Sequence, residues 1–287
     1  MINFLKYQWL YFLISALVIG SGLVSIITWG YRYSIDFAGG TNLEYLTNKS
    51  IPVTDLNKVL ENLKIKTESV QSNNKDITIQ TTPISGQQES QLRNSLQKTF
   101  SVELTTLRYE TVGPTLGSET LQKTLIAAIL GIAGILIYMS FAFKGFNYAF
   151  AAILAMIHDF LVVIGTYSLL SHFLGAELDT MFVTALLTTM AFSVHDTIII
   201  FDKIREYFRT EGKADMEFYA SKALVETMVR SLNNSMTIIF MLLALTLLGG
   251  VTIRFFVATL LVGTITGTYS SPFVATPILV WLEKRKK

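Results

Sequence analysis

The sequence predicts a polytopic α-helical membrane protein with six transmembrane helices and one α+β ferredoxin-like extracytoplasmic domain between helices 1 and 2. Three observations carry this. The chain is 51% hydrophobic and 15% charged, with a mean hydropathy of +0.47, whereas soluble domains carry about 25% charged residues. Six long apolar stretches lie near 11–30, 121–143, 148–171, 180–201, 233–249 and 255–282. Each approaches the ~20 residues that cross a bilayer. Between the first two lies a polar region, 31–119, in which strand and helix periodicities alternate.

The first stretch, within residues 1–30, is longer than the apolar core of a signal peptide. Thr28-Trp29-Gly30 is a poor cleavage site, so an uncleaved anchor is expected. Asp36-Phe37-Ala38-Gly39-Gly40-Thr41 follows directly. Adjacent glycines permit positive φ, which suits a flexible or phosphate-binding loop. No phosphate-binding lysine or helix N-terminus follows, and this favours a plain turn into the first strand.

Within 31–119, Asn42–Thr47 alternates as a strand, and Val53–Leu63 places Val53, Leu56, Val59, Leu60 and Leu63 at helical spacing. Glu68–Asn73 and Asp76–Thr82 read as strands, Gln87–Phe100 as a helix and Val102–Val112 as a last strand. That is the β-α-β-β-α-β order. Asn73-Asn74, Gly86 and Gly113-Pro114 supply turn signals.

Residues 120–287 hold the other five helices. Asn233 and Asn234 open the fifth, and Pro272 and Pro277 predict a kink or an early end in the sixth. A cytoplasmic loop over about 202–231 carries Ile204, Tyr207, Phe208, Phe218, Leu224 and Met228 in an amphipathic pattern, which predicts a helix lying along the membrane surface. The net charge of +2 says little, but its placement is informative. Lys203, Arg205, Arg209, Lys213, Lys222 and Arg230 separate stretches four and five. Lys6, Lys144 and the tail Lys284-Arg285-Lys286-Lys287 fall on the same side, so both termini are expected in the cytoplasm and 31–119 outside. The chain has no cysteine, which excludes disulfides, thiol catalysis and thiolate metal sites.

Ser193-Val194-His195-Asp196-Thr197 lies inside the fourth stretch. A carboxylate at bilayer depth costs about 2.5–3.5 kcal/mol on insertion scales. Such a residue faces the bundle interior, finds a partner or carries a proton. At 100° per residue, Ala185, Thr189, Ser193 and Asp196 share one stripe, and Thr184, Thr188 and His195 form the neighbouring one. The stripe fits an ion or proton pathway, or alternatively a structural hydrogen-bond cluster. Asp196 is cheap either neutral or ionised beside a cation. Arg230 is the natural cation, with Asn233, Asn234 and Thr237 continuing its face, and the same residue also fits a simple cytoplasmic anchor. Asp202, beside Lys203, Arg205 and Glu206, reads as part of a solvated, salt-bridged helix end.

His158-Asp159 lies midway along the third stretch and reads either as part of a proton path or as a structural pair. His158, Asp159 and His195 lack the i,i+4 histidine spacing of a helical zinc site, so no metal is expected. No GxSxG nucleophile and no GxGD context accompany these residues, so an intramembrane protease is disfavoured and no enzyme is expected. Thr259, Gly263 and Gly267, followed by Ser270-Ser271-Pro272, and the Ala127–Gly131 pair read as small-residue packing faces.

The pattern resembles the SecF family. Ser34-Ile35-Asp36-Phe37-Ala38-Gly39-Gly40-Thr41 is similar to the family's Gly-Ile-Asp-Phe-Thr-Gly-Gly-Thr, and Ser193 through Glu206 to its Ser-Val-Asn-Asp-Thr…Phe-Asp-Arg-Ile-Arg-Glu. His158-Asp159 and Arg230 also match. Ser34, Ala38, His195 and Lys203 depart from the usual Gly, Thr, Asn and Arg. His195 is thereby either a neutral substitute for Asn or a group titrating near neutral pH.

The resemblance implies a relative of the RND efflux superfamily in the bacterial cytoplasmic membrane, multi-pass with both termini cytoplasmic. With SecD it would use the proton motive force to draw preproteins from the SecYEG channel, with YajC and YidC as further partners. Asp196 would be the protonatable site and Arg230 its charge partner. Protons would be the coupling ion, with sodium as the alternative, and neither cofactor nor nucleic acid is implied. The competing reading is half of an RND-type proton-driven exporter of small molecules or lipids, which would usually carry larger outside domains in two repeats.

Overall fold

The computed structural model describes residues 7–73, 75–143, 145–212 and 215–285, with the side chain of Val251 left out. The expectations placed on Lys6, Asn74, Lys144, Lys213, Lys286 and Lys287 lie outside the described residues. The chain divides into two compact units, residues 33–125 and residues 1–32 with 126–287.

In the unit 33–125, Ser34 caps a four-residue helix, α2 (Ile35–Ala38), its hydroxyl accepting from the Asp36 N–H. Then come β1 (Gly40–Thr47), α3 (Val53–Asn62), β2 (Thr67–Asn73), β3 (Asp76–Thr81), α4 (Gly86–Phe100) and β4 (Leu104–Val112). The four strands form one sheet in the order β2-β3-β1-β4, every neighbouring pair antiparallel. Alternation places Leu43, Tyr45, Ile77, Ile79 and Leu104 in the core, where they meet Leu56, Leu60, Leu92 and Leu96 from the two helices. Ser85 and Gln88 close a capping box at the start of α4, satisfying free N–H groups.

Gly39 has φ +76° and Gly40 φ +132°, conformations that L side chains rarely adopt. A Cβ on Gly39 would stand 2.8 Å from Pro114 Cα, and one on Gly117 would stand 2.8 Å from the Gly39 nitrogen. The glycine pair is therefore a turn on which the residues at 114–117 rest closely.

Among the described residues, six helices are long and apolar enough to cross a membrane. They are α1 (Gln8–Thr28), α5 (Pro114–Ala142), α6 (Phe146–Leu174), α7 (Thr180–Thr210), α8 (Met216–Leu248) and a last span over Thr252–Lys284. The last span comprises α9 (Val251–Ser270), a π-helical turn (Ser271–Ala275) and α10 (Thr276–Lys284). Pro272 has no N–H to give the helical ladder. The wider turn takes up that gap, the Thr276 N–H bonding the Ser271 carbonyl, and the helix continues instead of ending.

The structure corrects the surface helix expected within about 202–231. α7 runs on to Thr210 and α8 begins at Met216, so no helix lies separately along the membrane surface among these residues. The amphipathic faces find each other. Ile204, Tyr207, Tyr219 and Leu224 are buried in one core, with the Tyr207 and Tyr219 rings stacked at 5.7 Å. Lys203 bridges to Glu226 at 2.7 Å and Lys222 pairs with Glu211, while Asp202 pairs with Arg205 and Glu206 with Lys203, each at 3.2 Å, as the salt-bridged helix end expected there.

Close crossings hold the bundle. A Cβ on Gly22 of α1 would meet Gly165 Cα of α6 at 2.6 Å. On α9, a Cβ at Gly263 would meet Thr189 Cβ at 2.3 Å, and one at Gly267 would meet Ser193 Cβ at 2.9 Å. Small residues let backbones approach until van der Waals contact and hydrogen bonds join the helices.

Candidate functional site: two polar cores in the helix bundle

The first polar core centres on Asp159 of α6, which is 0% exposed. Its Oδ1 lies 2.8 Å from His158 Nδ1. Its Oδ2 accepts from Ser193 Oγ of α7 and, at 2.6 Å, from Ser270 Oγ of α9. His158 Nε2 lies 2.8 Å from Ser15 Oγ of α1. Nearby, Thr197 Oγ1 and Ser271 Oγ are 2.8 Å apart. Four helices thus converge on one carboxylate, and Gly267 is what lets Ser193 come close to α9. Ser270 and Ser271, expected only as packing residues, belong to this polar core. The Ser15–His158–Asp159 chain has the connectivity of a hydrolytic triad, yet all three residues are buried and Oδ2 is occupied by two further hydroxyls.

The second core is Asp196 of α7, 3% exposed. Its Oδ2 accepts from Ser231 Oγ of α8 at 2.7 Å. Arg230 and His195 act on it through space, but among the described residues no ion pair joins Arg230 to it. Arg230, expected as the charge partner of Asp196, thus acts on it at a distance, and the hydrogen bond comes from Ser231, a residue the sequence did not single out. Adjacent helix residues diverge by 100°, so Ser231 turns toward the bundle while Arg230 is exposed, beside Asp202, Lys203, Glu206 and Glu226 along an open groove.

The expected α8 face is corrected in the same way. Asn233, Asn234 and Thr237 are exposed, and the Thr237 hydroxyl returns to the Asn233 carbonyl. The inward stripe is Thr227, Ser231 and Ser235, at four-residue spacing. Ser235 is 0% exposed and its hydroxyl meets Thr268 Oγ1 at 2.8 Å. That spacing was present in the sequence, but counting from Arg230 put the phase one residue off. On α7 the expected phase holds: Ala185, Thr189, Ser193 and Asp196 are buried, and Thr184, Thr188 and His195 are exposed. Ser15, 143 residues from His158, carried no signal of its own.

Six candidate spans and carboxylates buried in polar cores between them define a multi-pass helical membrane protein. A family model, "Protein export membrane protein SecD/SecF, C-terminal", matches residues 91–285. The chain is 37% identical over 302 residues to "Protein translocase subunit SecF" of Thermobaculum terrenum, covering 99% of this chain and 95% of that one. The corresponding protein of Anaerolinea thermophila is 37% identical over 288 residues, covering 98% and 94%. The crystal structure of SecDF from Thermus thermophilus, described as a translocon-associated membrane protein, superposes with a TM-score of 0.87 at 28% identity. That match covers 99% of this chain and 39% of the SecDF chain, so this chain spans well under half of it. The chain belongs to the SecD/SecF family of protein-export membrane proteins, and its full-length relatives are SecF subunits.

Proposed function

We propose that this chain is the SecF-type subunit of a protein translocase, and that proton movement through its bundle promotes export of preproteins across the bacterial cytoplasmic membrane. The observation that carries the coupling reading is Asp196, a carboxylate 3% exposed inside an apolar span and held by one neutral hydroxyl. An ionised group so placed is costly without a direct cation partner. Gain and loss of a proton there changes the energy of packing α7 against α8, and a conformational cycle can use that change. Protons are the coupling ion in this reading, with sodium as the alternative, and the chain works as a transport subunit without enzymatic turnover of its own.

SecD is the expected partner. Arg230, Asn233, Asn234 and Thr237 on α8, with His195 on α7, are exposed on helices apolar enough to cross a membrane. Polar side chains facing hydrocarbon are costly, so cover by a second membrane chain fits them. Thermus thermophilus carries a "Protein translocase subunit SecDF", 32% identical over 268 residues, of which this chain covers 35%. The SecYEG channel, YajC, YidC and the moving preprotein complete the proposed assembly. The unit 33–125 is read as a ferredoxin-like domain on the outer side, supported by its β-α-β-β-α-β order, with both chain termini cytoplasmic.

The test is reconstitution. Vesicles lacking their own SecF receive this chain with a SecD-like partner, and preprotein export is followed with and without a proton gradient. Co-purification of the two chains and gradient-stimulated export are expected. Export that ignores the added chain contradicts the proposal.

A further inference from the structure

The bundle contains a second carboxylate that the reading of Asp196 leaves unused. Asp159 accepts from the Ser193 and Ser270 hydroxyls, has its other oxygen 2.8 Å from His158 Nδ1, and is 0% exposed. With Nδ1 as the donor the carboxyl group only accepts, which is the ionised form. Among the described residues no lysine or arginine pairs with it, and an uncompensated buried charge is strongly unfavourable. The one cation within reach is His158 itself. Each ring nitrogen of His158 faces an oxygen at 2.8 Å: Nδ1 faces Asp159 Oδ1, and Nε2 faces Ser15 Oγ. An imidazole with oxygen acceptors on both sides is suited to carrying two N–H donors, which is the imidazolium form.

We propose that His158 and Asp159 form a second proton-binding site in the helix bundle, separate from Asp196, which holds one proton as an imidazolium–carboxylate pair and exchanges it through the Ser15 hydroxyl. In the exchange, neutral His158 keeps its Nδ1–H on Asp159. Its Nε2 takes the Ser15 hydroxyl proton, and Ser15 takes one in turn from its other neighbour. The site gains one proton and its charge goes from −1 to zero. That neighbour is the half-buried Tyr269 hydroxyl, in hydrogen-bonding contact with Ser15 and otherwise donating to the Tyr11 carbonyl near the start of α1 at 2.8 Å. Tyr269 passes its proton to Ser15 and takes one back from water, so the added proton comes from solvent and both hydroxyls end neutral.

The groups facing the pair from the packed helices are all neutral. They are Ser15 from α1, Ser193 from α7, and Tyr269 and Ser270 from α9. Asp196, three residues beyond Ser193, bonds to Ser231 of α8 and serves a different contact. The inference goes beyond the export reading, and its test uses no export measurement.

The chain has three histidines, His158, His172 and His195. Histidine-selective 15N labelling of the full chain in lipid nanodiscs, with the His158 signals assigned by their loss in His158→Gln, reads each ring directly. Near neutral pH, both His158 nitrogens are expected to carry protons in the wild type. Asp159→Asn, which keeps the shape and removes the charge, is expected to leave one of them bare. Ser15→Ala keeps the pair intact, and its His158 ring is expected to stay doubly protonated while Nε2 exchange with water slows by about tenfold, the scale of one lost hydrogen bond. A neutral His158 ring in the wild type overturns the proposal even if Asp159→Asn fails to fold. Unchanged Nε2 exchange in Ser15→Ala overturns the assigned route.

Discussion

Ser231 is the only residue whose side chain hydrogen-bonds to Asp196 among those described. A hydrogen bond to a charged group contributes about 1.5–3 kcal/mol, so its loss alters the balance between the two states of Asp196 by about ten- to a hundredfold. Ser231→Ala is expected to cut gradient-driven export by that order, and Ser231→Thr, which keeps the hydroxyl, to retain most of it. Equal export rates for Ser231→Ala and wild type, at matched membrane levels, would remove Ser231 from the site. At this scale the sequence was informative where chemistry is rare. A carboxylate or histidine in an apolar run announces itself, and Asp159, His158 and Asp196 are all buried as expected. Their partners are serines, which look alike in sequence wherever they stand. Ser15, Ser231 and Ser270 acquire meaning only once four or five helices have been brought together.

Glycine spacing decides how closely the helices cross. A Cβ on Gly263 would stand 2.3 Å from Thr189 Cβ, while around Gly20 nothing lies within 4 Å. Overpacking costs about 1–3 kcal/mol, so Gly263→Val is expected to lower the thermal stability of the solubilised chain, and Gly20→Ala to leave it unchanged. Equal melting of the two variants would show that the α7–α9 crossing is not set by that glycine. In the unit 33–125, Tyr45 donates to Glu89 Oε1 at 3.1 Å. Burial first, and then the charge of Glu89, push the Tyr45 hydroxyl well above its ordinary range. A raised folded value contributes stability that is full below the unfolded value of about 10 and fades as pH climbs beyond it. The unit is therefore expected to become protease-sensitive above about pH 10, and Tyr45→Phe to weaken that alkaline sensitivity. An identical pH profile in the variant would rule Tyr45 out as its source. The four strands of this sheet and the helices α3 and α4 were legible to within two residues, because alternation and 3.6-residue spacing are strong local signals, whereas the four-residue α2 was read as a plain turn. The 202–231 region was not, because an amphipathic face reads the same whether it meets a membrane surface or another helix.

For the whole molecule, the distribution of lysine and arginine predicts sidedness. The chain has no native cysteine, so single cysteines report cleanly. An impermeant thiol reagent on intact cells is expected to label position 75 and not position 215, and the opposite pattern would reverse the topology. The polar outer faces of α7 and α8 belong to this scale too. Their exposure makes sense beside a partner chain, a relation that no single sequence displays. The central claim is that Asp196 carries the coupling proton. Its most direct test is preprotein export into vesicles containing either wild type or Asp196→Asn, with and without an imposed proton gradient. Asparagine keeps the size and hydrogen bonding of the side chain and cannot exchange a proton in this way. The account predicts equal insertion and assembly with SecD, and gradient stimulation present in the wild type and absent in Asp196→Asn. Full gradient stimulation in Asp196→Asn would contradict it.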